Sequence, residues 1–357
     1  MVTRRRALSI IGSAAATAWL AACGGETASK PSPTTAPTAS PTPAPFPLRL
    51  AVPDPQIAVR AEFVAPKDTD PAIDTALEPH YVVLSSATAS RGRLFLFLPG
   101  TGTNSEVFKL LAQQGARNGF NVVVLRYPNS DAVQALCGQD PDTSCFEKAR
   151  LEVIDGTDRT PKVNVSRANS IENRLVKLLA YLETKHPNEG WATFVDAGAP
   201  KWSSIVVAGH SQGGGHAALI ARDHIVPRVA MFSSPVDHLG PIGRQTDSSP
   251  AAPWLLGAHQ TPSAAYFSFG HAKDENNNWD LQWKALGLGM SAFGAPANVD
   301  GATPPYGGAH LLTTRAAPQK NSSNAPNHGS TAHDLVTPLS ASGQPVFAPV
   351  WQYVCFA

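Results

Sequence analysis

Neither sign of charge dominates this chain: 28 Lys and Arg stand against 27 Asp and Glu over 357 residues, a formal balance of +1. A nucleic-acid partner, which calls for a strongly basic face, is therefore not expected. No internal repeat recurs, which excludes solenoids and propellers. Beyond the first 22 residues no apolar run is long enough to span a bilayer. Cysteine is scarce, at four. No histidine or second cysteine pair stands at zinc-site spacing, so no metal centre is expected, and nothing calls for another cofactor. What remains is an ordinary globular composition, 43% hydrophobic and 15% charged. That is enough for one large α/β domain with a sizeable core.

Residues 1–22 read as a bacterial signal peptide. Arg4, Arg5 and Arg6 form a basic head, and residues 7–20 an apolar stretch too short for a comfortable span. Leu20, Ala21, Ala22 and Cys23 look like a lipobox, after which Cys23 becomes the acylated first residue, and residues 3–8 are also similar to a twin-arginine signal. Without the three arginines of residues 1–22 the charge balance is −2. Residues 23–47 hold Pro, Thr, Ser and Ala with almost nothing to bury, so they read as a disordered tether. The expected organisation is a leader at 1–22, a lipidated Cys23 with its tether to 47, and a folded domain over 48–357. Such a protein is exported to the cell envelope and meets the membrane only through its lipid. In that oxidising compartment the short spacing of Cys137 and Cys145 suits a local disulfide, and Cys355, in an apolar tail, reads as a buried thiol.

The most informative stretch is residues 201–224. A β-rich apolar run at 202–208 leads straight into Gly209, His210, Ser211, Gln212 and Gly213, and a helix is expected over 214–224. The turn fits G-x-S-x-G, in which two glycines let the backbone bend sharply and lift the Ser211 hydroxyl above the sheet edge. The backbone N–H of Gln212 then points from a helix start toward a substrate oxygen. The alternative is that Ser211 merely caps a helix. Gly213, Gly214 and Gly215 in succession favour a helix packed tightly under a strained turn.

Elsewhere strands alternate with helices, which implies a mostly parallel sheet covered on both faces. Strands are expected at 57–64, 80–84, 93–98, 121–127, 228–232, 264–269 and 309–314. Helices are expected at 105–114, 171–185, 281–293 and 347–356, the second marked by Ile171, Leu175, Leu178, Leu179 and Leu182 at helical spacing. Residues 129–167 read as a long irregular excursion, which with 234–261 could cap a site. Trp254, Trp279, Trp283 and Phe293 could line an acyl pocket, although such residues are more often core.

In this order of parts the chain resembles the α/β-hydrolase superfamily of serine esterases and lipases, with the residue-level likeness concentrated in the elbow. The resemblance implies an α/β-hydrolase fold and an enzyme that cleaves an ester or lipid substrate through an acyl-enzyme on Ser211, and a monomer is expected. It also implies an acid after a later strand. Asp274 fits that place best, Asp237 would serve if the acid came one strand earlier, and Glu275 is a third option. The histidine comes last in this family's order. His328 lies in a loop before a possible helix start at Ser330, His333 one turn into that helix where it could face outward, and His310 at a strand entry better explained by packing. The turn at Pro99, Gly100 and Thr101 resembles the family's oxyanion turn with Pro99 in place of His, making the Thr101 N–H the second donor beside Gln212. A peptidase, thioesterase or acyltransferase could use the same parts, and a non-catalytic binding lipoprotein could use the same scaffold.

Overall fold

The computed structural model describes residues 48–241, 249–276, 279–319 and 324–357, the last two residues before 281 by backbone alone. The leader, Cys23 and the tether lie outside the described residues.

Nine strands make one sheet. Numbered in chain order they are β1 (Arg60–Val64), β2 (His80–Leu84), β3 (Leu94–Leu98), β4 (Asn121–Val124), β5 (Ile205–His210), β6 (Val229–Phe232), β7 (Tyr266–His271), β8 (Ala297–Asn298) and β9 (Leu311–Thr314). Across the sheet the order is β1-β2-β4-β3-β5-β6-β7-β9-β8. β2 pairs antiparallel with β1 and β4, and every later pairing is parallel. The helices used below are α1 (Lys109–Arg117), α2 (Val133–Cys137), α3 (Cys145–Asp155), α4 (Ile171–Lys185), α5 (Gln212–Asp223) and α6 (Pro326–Gly329). A mostly parallel sheet with helices on both faces, in this strand order, is the α/β-hydrolase fold.

Both faces of the sheet are buried because its central strands are apolar at every position. On β3, Leu94, Leu96 and Leu98 pack to one side with α4 and α5, while Phe95 and Phe97 pack to the other with Phe108, Trp351 and Phe356. The two-residue period of a strand divides one continuous apolar run between two cores. α4 starts at Ser170, whose hydroxyl accepts the Asn173 N–H at 3.3 Å, and it buries Leu175, Leu178, Leu179 and Leu182.

Several expected elements have different bounds. Residues 129–167 are not wholly irregular: they contain α2 and α3, joined by the Cys137–Cys145 disulfide at the end of one and the start of the other, with irregular chain around them. The helical pattern was hidden because a fully buried arginine, Arg150, stands in the apolar stripe beside Phe146, Ala149 and Val153. The helix expected at 281–293 is two pieces, Trp279–Ala285 and Met290–Phe293, divided where Gly287 takes a φ of 72°. The closing helix is an α turn over Ala348–Trp351 continued by a wider π turn over Gln352–Phe356, and Cys355 within it is free and buried. Residues 202–204 are a 3-10 turn before β5, and the short edge strand β8 has no sequence signal of its own.

Leu178 is fully buried between α4 and the sheet. Leu178→Ala should lower unfolding free energy by about 2–5 kcal/mol, read from urea denaturation, and a loss below about 1 kcal/mol would contradict this packing.

Candidate active site

Ser211 stands between the last residue of β5 and the first of α5 with φ 53° and ψ −120°. A non-glycine residue there carries strain of order 1–3 kcal/mol and persists only where its surroundings enforce it. Two glycines provide those surroundings. A Cβ on Gly209 would lie 2.3 Å from the Gly213 carbonyl carbon, and one on Gly213 would lie 2.0 Å from the Leu98 carbonyl oxygen. Strand and helix can cross this closely only because neither position has a side chain.

Thr101 follows β3 at the same sheet edge, where a Cβ on Gly100 would come 3.2 Å from the Ser211 Cβ. The Thr101 hydroxyl donates to Gln212 Oε1 at 3.1 Å, and the Val133 N–H donates to the same oxygen at 2.9 Å. The Gln212 side chain therefore ties the turn after β3 to α2. The backbone N–H groups of Thr101 and Gln212 find no acceptor among the described residues.

Asp274 lies just after β7 and is almost wholly buried. Both its oxygens are 2.9 Å from His328 Nδ1. Burial opposes the Asp274 charge, but the His328 imidazole and the Asn276 N–H outweigh it and hold the carboxyl below its ordinary value. A carboxylate can only accept, so Nδ1 carries the proton and Nε2 keeps a lone pair.

His328 is not in a loop before a helix, as the sequence suggests, but within α6, and Ser330 closes that helix by donating its N–H to Pro326 O at 3.0 Å. Glu275 holds this short helix from its N-terminal side. Its carboxylate accepts the Asn327 N–H at 3.2 Å, the Asn327 amide at 2.7 Å and the His328 N–H at 2.8 Å. It is not positioned as the acid.

Asp237 is not beside His328 either. It is fully buried in a bidentate pair with Arg150, at 2.6 Å and 2.5 Å, and accepts the Trp254 indole N–H at 2.7 Å. Arg150 also donates to Gln212 O at 2.9 Å, so the pair braces the start of α5 from α3. His310 is remote from this arrangement, bonded to Tyr266 O at 2.8 Å and stacked between Phe267 and Phe293. His333 does not face outward. Its ring packs edge-on to Phe108 and lines the cavity described next.

Ser211, Gln212, Thr101, His328 and His333 line one cavity of about 340 Å³, whose wall also includes Gln134, Arg150, His210, Val236 and Asn276. Trp254, Trp283 and Phe293 take no part in its wall, and the Trp279 side chain lies outside the described residues. The Ser211 hydroxyl has no hydrogen-bond partner among the described residues. Such contacts commonly tighten only when substrate is bound. Chemically, the arrangement offers a strained hydroxyl, an imidazole with a free Nε2, a carboxylate holding the other ring nitrogen, and two unused backbone donors.

No protein-family model and no curated protein matches this sequence. Among solved structures, 184 chains match. One, provisionally named a dienelactone hydrolase, from Klebsiella pneumoniae subsp. pneumoniae, is similar at 13% identity over 72% of this chain and 86% of its own, with a TM-score of 0.36. At that score the likeness carries no weight, and the fold rests on the strand order.

Asp237→Asn leaves the Arg150 guanidinium buried beside a neutral amide. It should cost about 3–5 kcal/mol of stability by urea unfolding, whereas a change under about 1 kcal/mol would mean that the pair braces nothing.

Proposed function

We propose that this chain is a serine hydrolase that cleaves carboxylic esters through an acyl-enzyme on Ser211. The observation that carries the reading is the placement of Asp274 against His328 Nδ1, which leaves Nε2 as the free basic nitrogen in the cavity that Ser211 also lines. As the Ser211 oxygen bonds to the ester carbonyl carbon, its proton passes to His328 Nε2 and the carbonyl electrons move onto oxygen. That oxyanion is received by the N–H groups of Thr101 and Gln212, each of which typically contributes about a hundredfold or more in rate. The alcohol leaves with the proton from Nε2, and water repeats the steps to free the acid and restore Ser211.

The leader-like residues 1–22 and the lipobox-like residues 20–23 support a wider setting, which belongs to the same proposal. Cys23 would carry the lipid, residues 23–47 would hold a monomeric catalytic domain away from the membrane, and the Cys137–Cys145 disulfide suits an extracytoplasmic compartment.

Ser211→Ala should reduce hydrolysis of short p-nitrophenyl esters by roughly a thousandfold or more with little change in thermal midpoint. Retained turnover would remove Ser211 from the mechanism. Asp274→Asn should lower kcat by up to about ten-thousandfold, because the amide can stabilise the wrong tautomer of His328. Equal losses in Asp274→Asn and Glu275→Gln would take that distinction away.

A further inference from the structure

The backbone of His328 is held as firmly as its ring. Its N–H goes to Glu275, and its carbonyl oxygen receives two bonds from the sheet: His210 Nε2 at 2.9 Å and the Ser233 hydroxyl at 2.8 Å. These donors stand at the ends of neighbouring strands, His210 closing β5 and Ser233 following β6 with a φ of 48°. The His210 and His328 rings also touch, with centroids 4.9 Å apart.

A carbonyl only accepts, so His210 must carry its proton on Nε2. Nδ1 is then a lone-pair acceptor, buried and without a partner. An orphaned buried acceptor costs on the order of 1–3 kcal/mol, so packing alone would be better served by an apolar side chain of similar size. Burial and the neighbouring His328 push the His210 imidazole down to about 3, so it stays neutral and keeps this tautomer.

We propose that His210 and Ser233 are positioning residues for His328, clamping its peptide carbonyl to the ends of β5 and β6 so that the imidazole keeps one pose between Asp274 and Ser211. This rests on the reading of His328 as the base. Glutamine places its amide nitrogen the same number of bonds from Cβ as His Nε2, whereas phenylalanine keeps the bulk and loses the donor.

The test compares wild type, His210→Gln and His210→Phe in ester turnover and in hydrogen–deuterium exchange of the peptide covering residues 326–331. His210→Gln should stay within about threefold of wild-type kcat, and His210→Phe should lose about tenfold with KM nearly unchanged, the equivalent of one hydrogen bond. His210→Phe should also speed exchange at 326–331, and His210→Gln should not. Wild-type behaviour of His210→Phe in both readouts would overturn the clamp. An equal fall in both variants would assign His210 to packing and overturn it as well. If wild type hydrolyses no ester, the functional reading fails, and the exchange data still decide the clamp. Should His210→Phe not fold, Ser233→Ala deletes the other donor and is read by the same two measurements.

Discussion

Ser211 can hold a φ of 53° because Gly209 and Gly213 let the end of β5 and the start of α5 approach to a distance no side chain would permit. The rest of the site depends on that close approach. It fixes where the hydroxyl stands and brings Gln212 to the head of α5. Through the Gln212 side chain it links the turn after β3 to α2. The strain at Ser211 is sustained by the two apolar cores on either side of the sheet, which keep β5 and α5 from separating.

Around this turn the buried polar groups are arranged in matched sets. Arg150 and Asp237 neutralise one another under α5, and Asp274 and His328 meet after β7. Each set answers a burial cost that would be several kcal/mol if one member stood alone. The two pairs do different work. The Arg150 pair braces the helix behind the serine, while the Asp274 pair orients a ring that faces the cavity. Among the polar atoms of His328, only Nε2 lacks a partner among the described residues, which is what a base waiting for a hydroxyl proton requires.

The elements that the sequence made plain are those where one physical signal dominates. β2 and α4 have the expected bounds, α4 because five apolar residues recur along it at helical spacing. The elbow was legible because a strand, G-x-S-x-G and a helix stand in direct succession. Asp274 and His328 could be chosen only through a family's order of parts, since one of several loop carboxylates and one of several histidines look alike in a sequence. The structure sets them apart by contact: Asp237 faces Arg150, Glu275 faces the start of α6, and His310 lies between aromatic rings. His210 and Ser233 went unread because their role runs through a backbone carbonyl far away in sequence. A pattern of side chains carries no trace of that. Arg150 concealed α3 for the related reason that its buried charge, matched only in three dimensions, looks like surface in one.

The central claim is that Ser211 is a nucleophile activated by His328, and the most direct measurement is labelling of the folded chain from Leu48 onward with a fluorophosphonate, the adduct being located by mass spectrometry. The account predicts one adduct, on Ser211, whose formation slows sharply when His328 is replaced by Gln. An adduct elsewhere, or folded protein that stays unlabelled, would contradict it.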